Sequence, residues 1–185
     1  MPKSRSQGRS LRSSCRTPRK QRTLTKRERI RSLSTIKKIL APTDLSENSR
    51  WGIQYALVVA AELDAAVTIY YVVTGNDIAG FRRRRKETAR VASHTGDFLP
   101  GYQLRLRSFV EENFSAFTTA KVSQKVEFGT PEISIIEMAN TEEVDWIIMA
   151  TRGMSGLSRI VLGSITEEVI RNAPCPVLAI PPGFS

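Results

Sequence analysis

Gly153, Gly156 and Gly163 lie in a loop that joins an apolar run, Val144 to Ala150, to a helix-like segment opening at Gly163-Ser164. Asp145 is the single charge in that run. A buried strand, a glycine loop and a helix N-terminus together form an anion site. The N–H groups of the loop and of the first helical turn can converge on one phosphate, and glycine admits close approach and positive φ. The stretch VDWIIMATRGMSGLSRIVLGS, residues 144–164, is not a P-loop, because no GK[ST] follows. It is not the dinucleotide fingerprint either, because G-x-G-x-x-G is absent. On spacing alone a second reading stays open, in which Gly153 and Gly163 only end a strand and start a helix.

Other reactive groups are sparse. The one histidine, His94, stands in a polar stretch with no Cys or acidic cluster around it and reads as a solvated loop residue. No Ser/His/acid or Cys/His set can be assembled around it. Cys15 and Cys175 form neither a disulfide framework nor a metal site, and they point to a reducing compartment. The run Arg82-Arg83-Arg84-Arg85-Lys86 reads as a solvated basic surface, with a phosphate or partner contact as the alternative.

The elements that must position the glycine loop follow from the pattern of the chain. Ile36 to Ala41 reads as a short strand closed by Pro42. Thr43-Asp44 follow it, and a helix capped by Ser46 runs to about Leu63 with Ile53, Leu57, Ala60 and Ala61 on one face. Val67 to Val73 is a second strand, apolar enough to be covered on both sides. Thr74 to about Pro100 reads as irregular. Gly101 to Ala120 is a helix with a core stripe of Leu106, Val110, Phe114 and Phe117. Val122 to Phe128 is a third strand. Thr130-Pro131-Glu132 opens the next helix, with Ile133, Ile136 and Ala139 facing inward. Trp146 to Ala150 is strand four, Ser164 to Asn172 a helix, and Pro176 to Ile180 strand five. Five alternations of strand and helix imply an α/β fold, a doubly wound parallel sheet with right-handed crossovers. Ligands of such sheets sit outside the carboxyl ends of the strands, where strand order reverses. If strands one and four are neighbours, Pro42-Thr43-Asp44 and Ala150 to Gly163 flank one crevice.

Charge divides the chain. Residues 1–35 carry 12 Lys and Arg against one acid, Glu28, while residues 36–185 carry 16 against 17 acids. The basic segment has almost no large apolar residues, so its expected state is disordered. Three roles compete for it: an upstream extension without a selected role, a targeting peptide, or an arm contacting nucleic acid or anionic lipid by counterion release. No apolar run reaches the length of a membrane span. The expected organisation is a basic extension (1–35), one domain (36–182) and a short tail (183–185). The expected location is the cytoplasm, with organelle targeting by the basic segment as the alternative.

Residues 36–182 resemble the universal stress protein family. The matching pieces are KKILAPTDLSENS at 37–49, TIYYVV at 68–73 and VDWIIMATRGMSGLSRIVLGSITEEVIRNAPCPVLAI at 144–180. The resemblance implies an adenine nucleotide alpha hydrolase-like sheet of order 3-2-1-4-5 and a homodimer paired through the last strand, Val177 to Ile180. The family's ATP-binding branch carries G-x2-G-x9-G-[ST]. Here Gly153, Gly163 and Ser164 match, while Ala150 stands where the first glycine is expected. By resemblance, Pro42 and Thr43 shape the adenine side and Val72 offers backbone groups to the base. Asp44 meets the ribose or a metal; as a residue following a strand it also suits a turn. Met149 and Ala150 close the strand-four side. Gly153, Gly163, Ser164 and Ile165 hold phosphates, and Arg152 pairs with one of them or stands as an exposed loop cation. The implied cofactor is ATP with Mg2+ or Mn2+ bridging the phosphates. Three functions are carried forward: a dimeric nucleotide-binding stress-response module signalling to a partner, a slow ATPase or self-phosphorylating protein, and an interaction module with an empty crevice, which Ala150 favours.

Overall fold

The computed structural model describes residues 36–85, 98–117, 121–151 and 162–183, with only the backbone of 81–85, all within one unit, Ser34–Ser185. The basic N-terminal segment, His94, Arg152, Gly153 and Gly156 lie outside the described residues, as do the side chains of the Arg82–Lys86 run. Five strands, β1 (Lys38–Thr43), β2 (Ala66–Val73), β3 (Lys121–Phe128), β4 (Trp146–Ala150) and β5 (Val177–Ile180), form one sheet of order β3-β2-β1-β4-β5. Every pairing in it is parallel. The connecting helices are α1 (Ser49–Leu63), α2 (Gly75–Arg85), α3 (Leu99–Phe114), α4 (Pro131–Thr141) and α5 (Ser164–Asn172). Among the described residues no helix is long and apolar enough to cross a membrane.

The sheet is apolar on both faces because its strands alternate between two cores. Val67, Ile69, Tyr71 and Val73 of β2 join α1 and α3 residues such as Ile53, Leu57, Tyr102 and Leu106 on one side. Tyr70 and Val72 point the other way and meet Ile135, Met138 and Val169 of α4 and α5. Each fully buried aliphatic side chain removes enough surface from water to contribute about 1.5–3 kcal/mol, so two faces of this kind hold a parallel sheet that neither could hold alone. At the amino ends of the central strands the Asp145 carboxylate accepts the N–H groups of Lys37 and Lys38 at 2.8 and 3.0 Å. The one charge in the apolar run of strand four therefore fastens β4 to the start of β1.

Several expectations are corrected. Residues 75–85 are helical rather than irregular, because Thr74 and Asp77 cap one another. The Asp77 carboxylate accepts the Thr74 N–H at 2.8 Å and its hydroxyl at 2.7 Å, and the Asp77 N–H reaches back to Thr74 Oγ1 at 3.3 Å. The first helix opens at Ser49, three residues after Ser46, because residues 45–48 form a separate turn in which Ser46 Oγ accepts the Ser49 N–H at 3.2 Å. β1 continues through Pro42 and Thr43 instead of closing at Pro42. The helix expected at 101–120 spans Leu99–Phe114, so Pro100 lies in its first turn, where proline needs no N–H partner. Ala61 is exposed, and Ile133, expected in the core, is 54% exposed. Helix α4 instead turns Ile135, Met138 and Ala139 inward. Thr130 precedes α4 with extended backbone but makes no side-chain cap bond.

Candidate functional site

The crevice begins where β1 and β4 part. The two strands pair only at Ile39–Trp146 and Leu40–Ile147, whereas β1 follows β2 on to Thr43 and β4 follows β5 on to Ala150. Beyond Leu40 the central strands diverge. Pro42, which has no N–H to offer a ladder, sits in a central strand only because its β4 side is already unpaired. This is the topological switch point of the sheet.

A cavity of about 480 Å³ opens there, within the ~300–1,000 Å³ range of small-molecule sites. From β1 it is lined by Pro42, Thr43 and Asp44, and from the end of β2 by Val72. Met149 and Ala150 of β4 form the opposite wall. Gly163, Ser164 and Ile165 close the floor at the start of α5. Nine of the eleven expected site residues thus line one cavity, and the other two, Arg152 and Gly153, lie outside the described residues. The lining also includes Ser49, Tyr71, Thr74 and Asn76 near the β1 and β2 ends, Pro131 and Ile135 of α4, and Thr166 of α5.

The β1 wall is a chain of side-chain hydrogen bonds. Asp44 Oδ1 accepts the Ser46 N–H at 3.0 Å and the Ser46 hydroxyl at 2.6 Å. Asp44 is therefore a turn former and a half-buried wall of the cavity at once. Thr43 Oγ1 accepts the Leu45 N–H at 3.0 Å and lies 2.8 Å from Ser49 Oγ. These bonds hold Leu45 at φ 61°, the left-handed region that a branched residue enters only under constraint.

The β4–α5 wall is made of backbone. Gly163 precedes α5 with extended φ and ψ and no side-chain cap bond. The first intrahelical bond runs from the Glu167 N–H to Gly163 O at 2.9 Å, so the Ser164, Ile165 and Thr166 amides stand ahead of the helical ladder. The Thr166 hydroxyl donates to Ala150 O at 3.1 Å, and the Gly163 N–H donates to Thr151 O at 2.9 Å. Both tie the helix start to the end of β4. Behind this wall Gly52 of α1 lies so close that a Cβ there would stand 2.6 Å from Ala150 N and 2.8 Å from Met149 C.

Electrostatics set the two ends of the crevice apart. The Tyr71 phenol is pushed up by burial and by the Asp77 carboxylate beside it, so it stays neutral. On the other face of β2, burial and the Glu127 carboxylate, which accepts the Tyr70 hydroxyl at 2.6 Å, do the same to Tyr70. Val72, Pro131, Ile135 and Met149 supply apolar surface, suited to a flat ring, and the α5 amides supply a positive pole suited to an anion. Among the described residues no three His, Cys, Asp or Glu side chains stand close enough to hold a metal.

Sequence reasoning missed Thr74, Asn76 and Asp77, although Thr74-x-x-Asp77 is a capping pattern readable from the sequence. It also missed Gly52, Ser49 and Thr166, whose roles depend on how helices lie against strands.

Comparison with known proteins agrees with this architecture. A protein-family model described as the universal stress protein family matches residues 35–181. The universal stress protein MJ0531 of Methanocaldococcus jannaschii is 33% identical over 153 residues, covering 78% of this chain and 81% of that protein. Among solved structures, hypothetical protein MJ0577 superposes with a TM-score of 0.58 at 27% identity, over 81% of this chain and 99% of its own. A universal stress protein solved in complex with cAMP gives a TM-score of 0.56 at 19% identity, over 78% and 96%, which speaks to the fold alone. By the match over residues 35–181, this chain belongs to the universal stress protein family.

Proposed function

We propose that the chain binds ATP in the crevice between β1 and β4, and that the nucleotide-bound protein acts as a dimeric stress-response module read by a partner. One observation carries this reading: a cavity at the switch point joins an apolar pocket to the free first turn of α5. The base lies against Val72, Pro131 and Met149, the ribose beside Asp44, and the phosphates over the Ser164 and Ile165 amides, next to Gly163, whose own N–H is taken by Thr151 O, with Gly153 and Arg152 from the adjoining loop. A Mg2+ or Mn2+ ion arriving with the nucleotide would neutralise phosphate charge, and among the described residues no three His, Cys, Asp or Glu side chains are placed to hold it by themselves. A universal stress protein of the same fold was itself solved in complex with cAMP. Ala150 narrows the mouth by one methyl compared with glycine, at a cost of about 1–3 kcal/mol if nothing relaxes. β5 lies at the sheet edge with Val177, Leu178 and Ala179 half-buried, which supports subunit pairing through Val177–Ile180.

The test is direct. Protein purified without added nucleotide is denatured and the supernatant analysed for adenine nucleotides, and the apo protein is titrated calorimetrically with ATP and Mg2+. Recovered nucleotide, or saturable binding that Gly153→Val abolishes, upholds the reading. Neither nucleotide nor heat of binding leaves an empty interaction module.

A further inference from the structure

Helix α4 carries two apolar stripes where the fold needs one. Ile135, Met138 and Ala139 are buried against the sheet. Ile133 and Ile136 lie on another side, the first 54% exposed and the second half-buried. Helix α5 repeats the arrangement: Thr166 and Val169 point inward, while Ile165 is 38% exposed. Between the two helices runs a groove of about 650 Å³. Its α4 side shows Ile133, Ile136 and Glu137, and its α5 side Ile165, Glu168 and Asn172. Each set falls on one helical stripe. Glu132, Glu137 and Glu168 are the charged residues of the described lining, and all are acids. Among the described residues none of the three pairs with a cation.

Exposed isoleucines framed by unneutralised acids select an occupant by sign as well as by shape. The floor favours apolar side chains, while the rim repels an acidic or anionic ligand and attracts lysine and arginine. We infer that this groove docks a basic amphipathic helix of a partner protein, with apolar residues at i, i+3 and i+4 against the isoleucines and cationic residues against the three glutamates. Ser164 and Ile165 line both this groove and the crevice. The first turn of α5 is therefore common to both sites, and an occupant of one alters the surface offered to the other. That coupling rests on the nucleotide reading. The docking does not.

The experiment uses the full chain and a fluorescein-labelled helical peptide of patterned leucine and lysine, with a leucine–glutamate peptide of the same pattern as control. Anisotropy is recorded on nucleotide-free protein, then with ATP and Mg2+. Saturable binding of the lysine peptide is expected, weakened at least ~tenfold by Ile133→Ser and by the pair Glu137→Lys and Glu168→Lys, as for loss of an interface anchor. Because these side chains are exposed, the variants should keep the wild-type melting temperature, which is checked alongside. Equal affinity for the glutamate peptide, or unchanged affinity in both variants, overturns the docking site. So does a fall in sedimenting mass caused by Ile133→Ser alone, which makes the groove a contact between copies. A several-fold change of peptide affinity on adding ATP supports the coupling, and its reciprocal must appear in the ATP titration. If ATP fails to bind, the coupling falls with the nucleotide reading, and the docking stands or falls on the nucleotide-free arms.

Discussion

The two walls of the crevice are built in opposite ways. On the β1 side, polar side chains bind one another: Asp44 to Ser46, Thr43 to Ser49 and Leu45, Ser46 to Ser49. On the β4–α5 side the shape comes from close backbone approaches, with Gly52 against Met149 and Ala150, and Thr166 bridging to Ala150 O. A wall of overlapping side-chain bonds can lose one and keep its form. A wall set by backbone contact has little slack, yet it leaves the Ser164, Ile165 and Thr166 amides ahead of the helical ladder. The first wall is held by redundant bonds and the second by close packing.

That contrast can be broken most forcefully at Gly52. Gly52→Val places a branched side chain against the backbone of Met149 and Ala150. Urea unfolding should show a loss of about 3 kcal/mol, with ATP affinity falling as the β4 wall is displaced. A variant as stable as wild type would mean that this wall does yield. Thr166→Val keeps the side-chain shape but leaves the buried Ala150 carbonyl without its donor, which should cost about 2 kcal/mol. Here too nucleotide titration should weaken, because the start of α5 is no longer fixed to β4. On the opposite wall, Ser49→Ala removes bonds to Thr43 Oγ1 and Ser46 O. The remaining Asp44 and Thr43 contacts should limit the loss to about 1 kcal/mol, with ATP affinity nearly unchanged. A larger binding defect there than in Thr166→Val would invert the contrast.

The smallest effect is expected far from both walls. Burial, with the Asp145 charge adding to it, pushes the Cys175 thiol up to about 11 from an ordinary 9.0. A raised folded-state value means that the neutral form is the stabilised one. The contribution is intact below pH 9.0 and lost as pH rises toward about 11. After allowance for partial exposure this amounts to less than ~1 kcal/mol. Chemical denaturation at pH 8 and pH 10 compares wild type with Cys175→Ala, and a pH slope that survives the substitution assigns the effect to the buried tyrosines instead.

Much of this fold was legible because its boundaries are chemically abrupt. Trp146–Ala150 and Ser164–Asn172 were read to the residue, since an apolar run meets polar and glycine residues at each junction. The lining of the candidate cavity was legible for the same reason, since it is assembled from strand ends, and strand ends are where such junctions fall. Helix α2 was not seen, because its cap follows a strand directly and its body is too basic to show an apolar period. Ile133 was misplaced because α4 has two apolar stripes, and periodicity does not say which one meets the sheet. Gly52 gave no signal at all: a glycine inside a helix reads as a weak spot until the strand behind it is in view.

The clasp of Asp145 on Lys37 and Lys38 joins positions 108 and 107 residues apart. β1 can find β2 early, but it meets β4 only after most of the chain has been made. During synthesis the β1 side of the crevice must wait for the β4–α5 side. The crevice exists only once that long span is closed, so a ligand of the crevice could stabilise only chains in which β1 and β4 have already met.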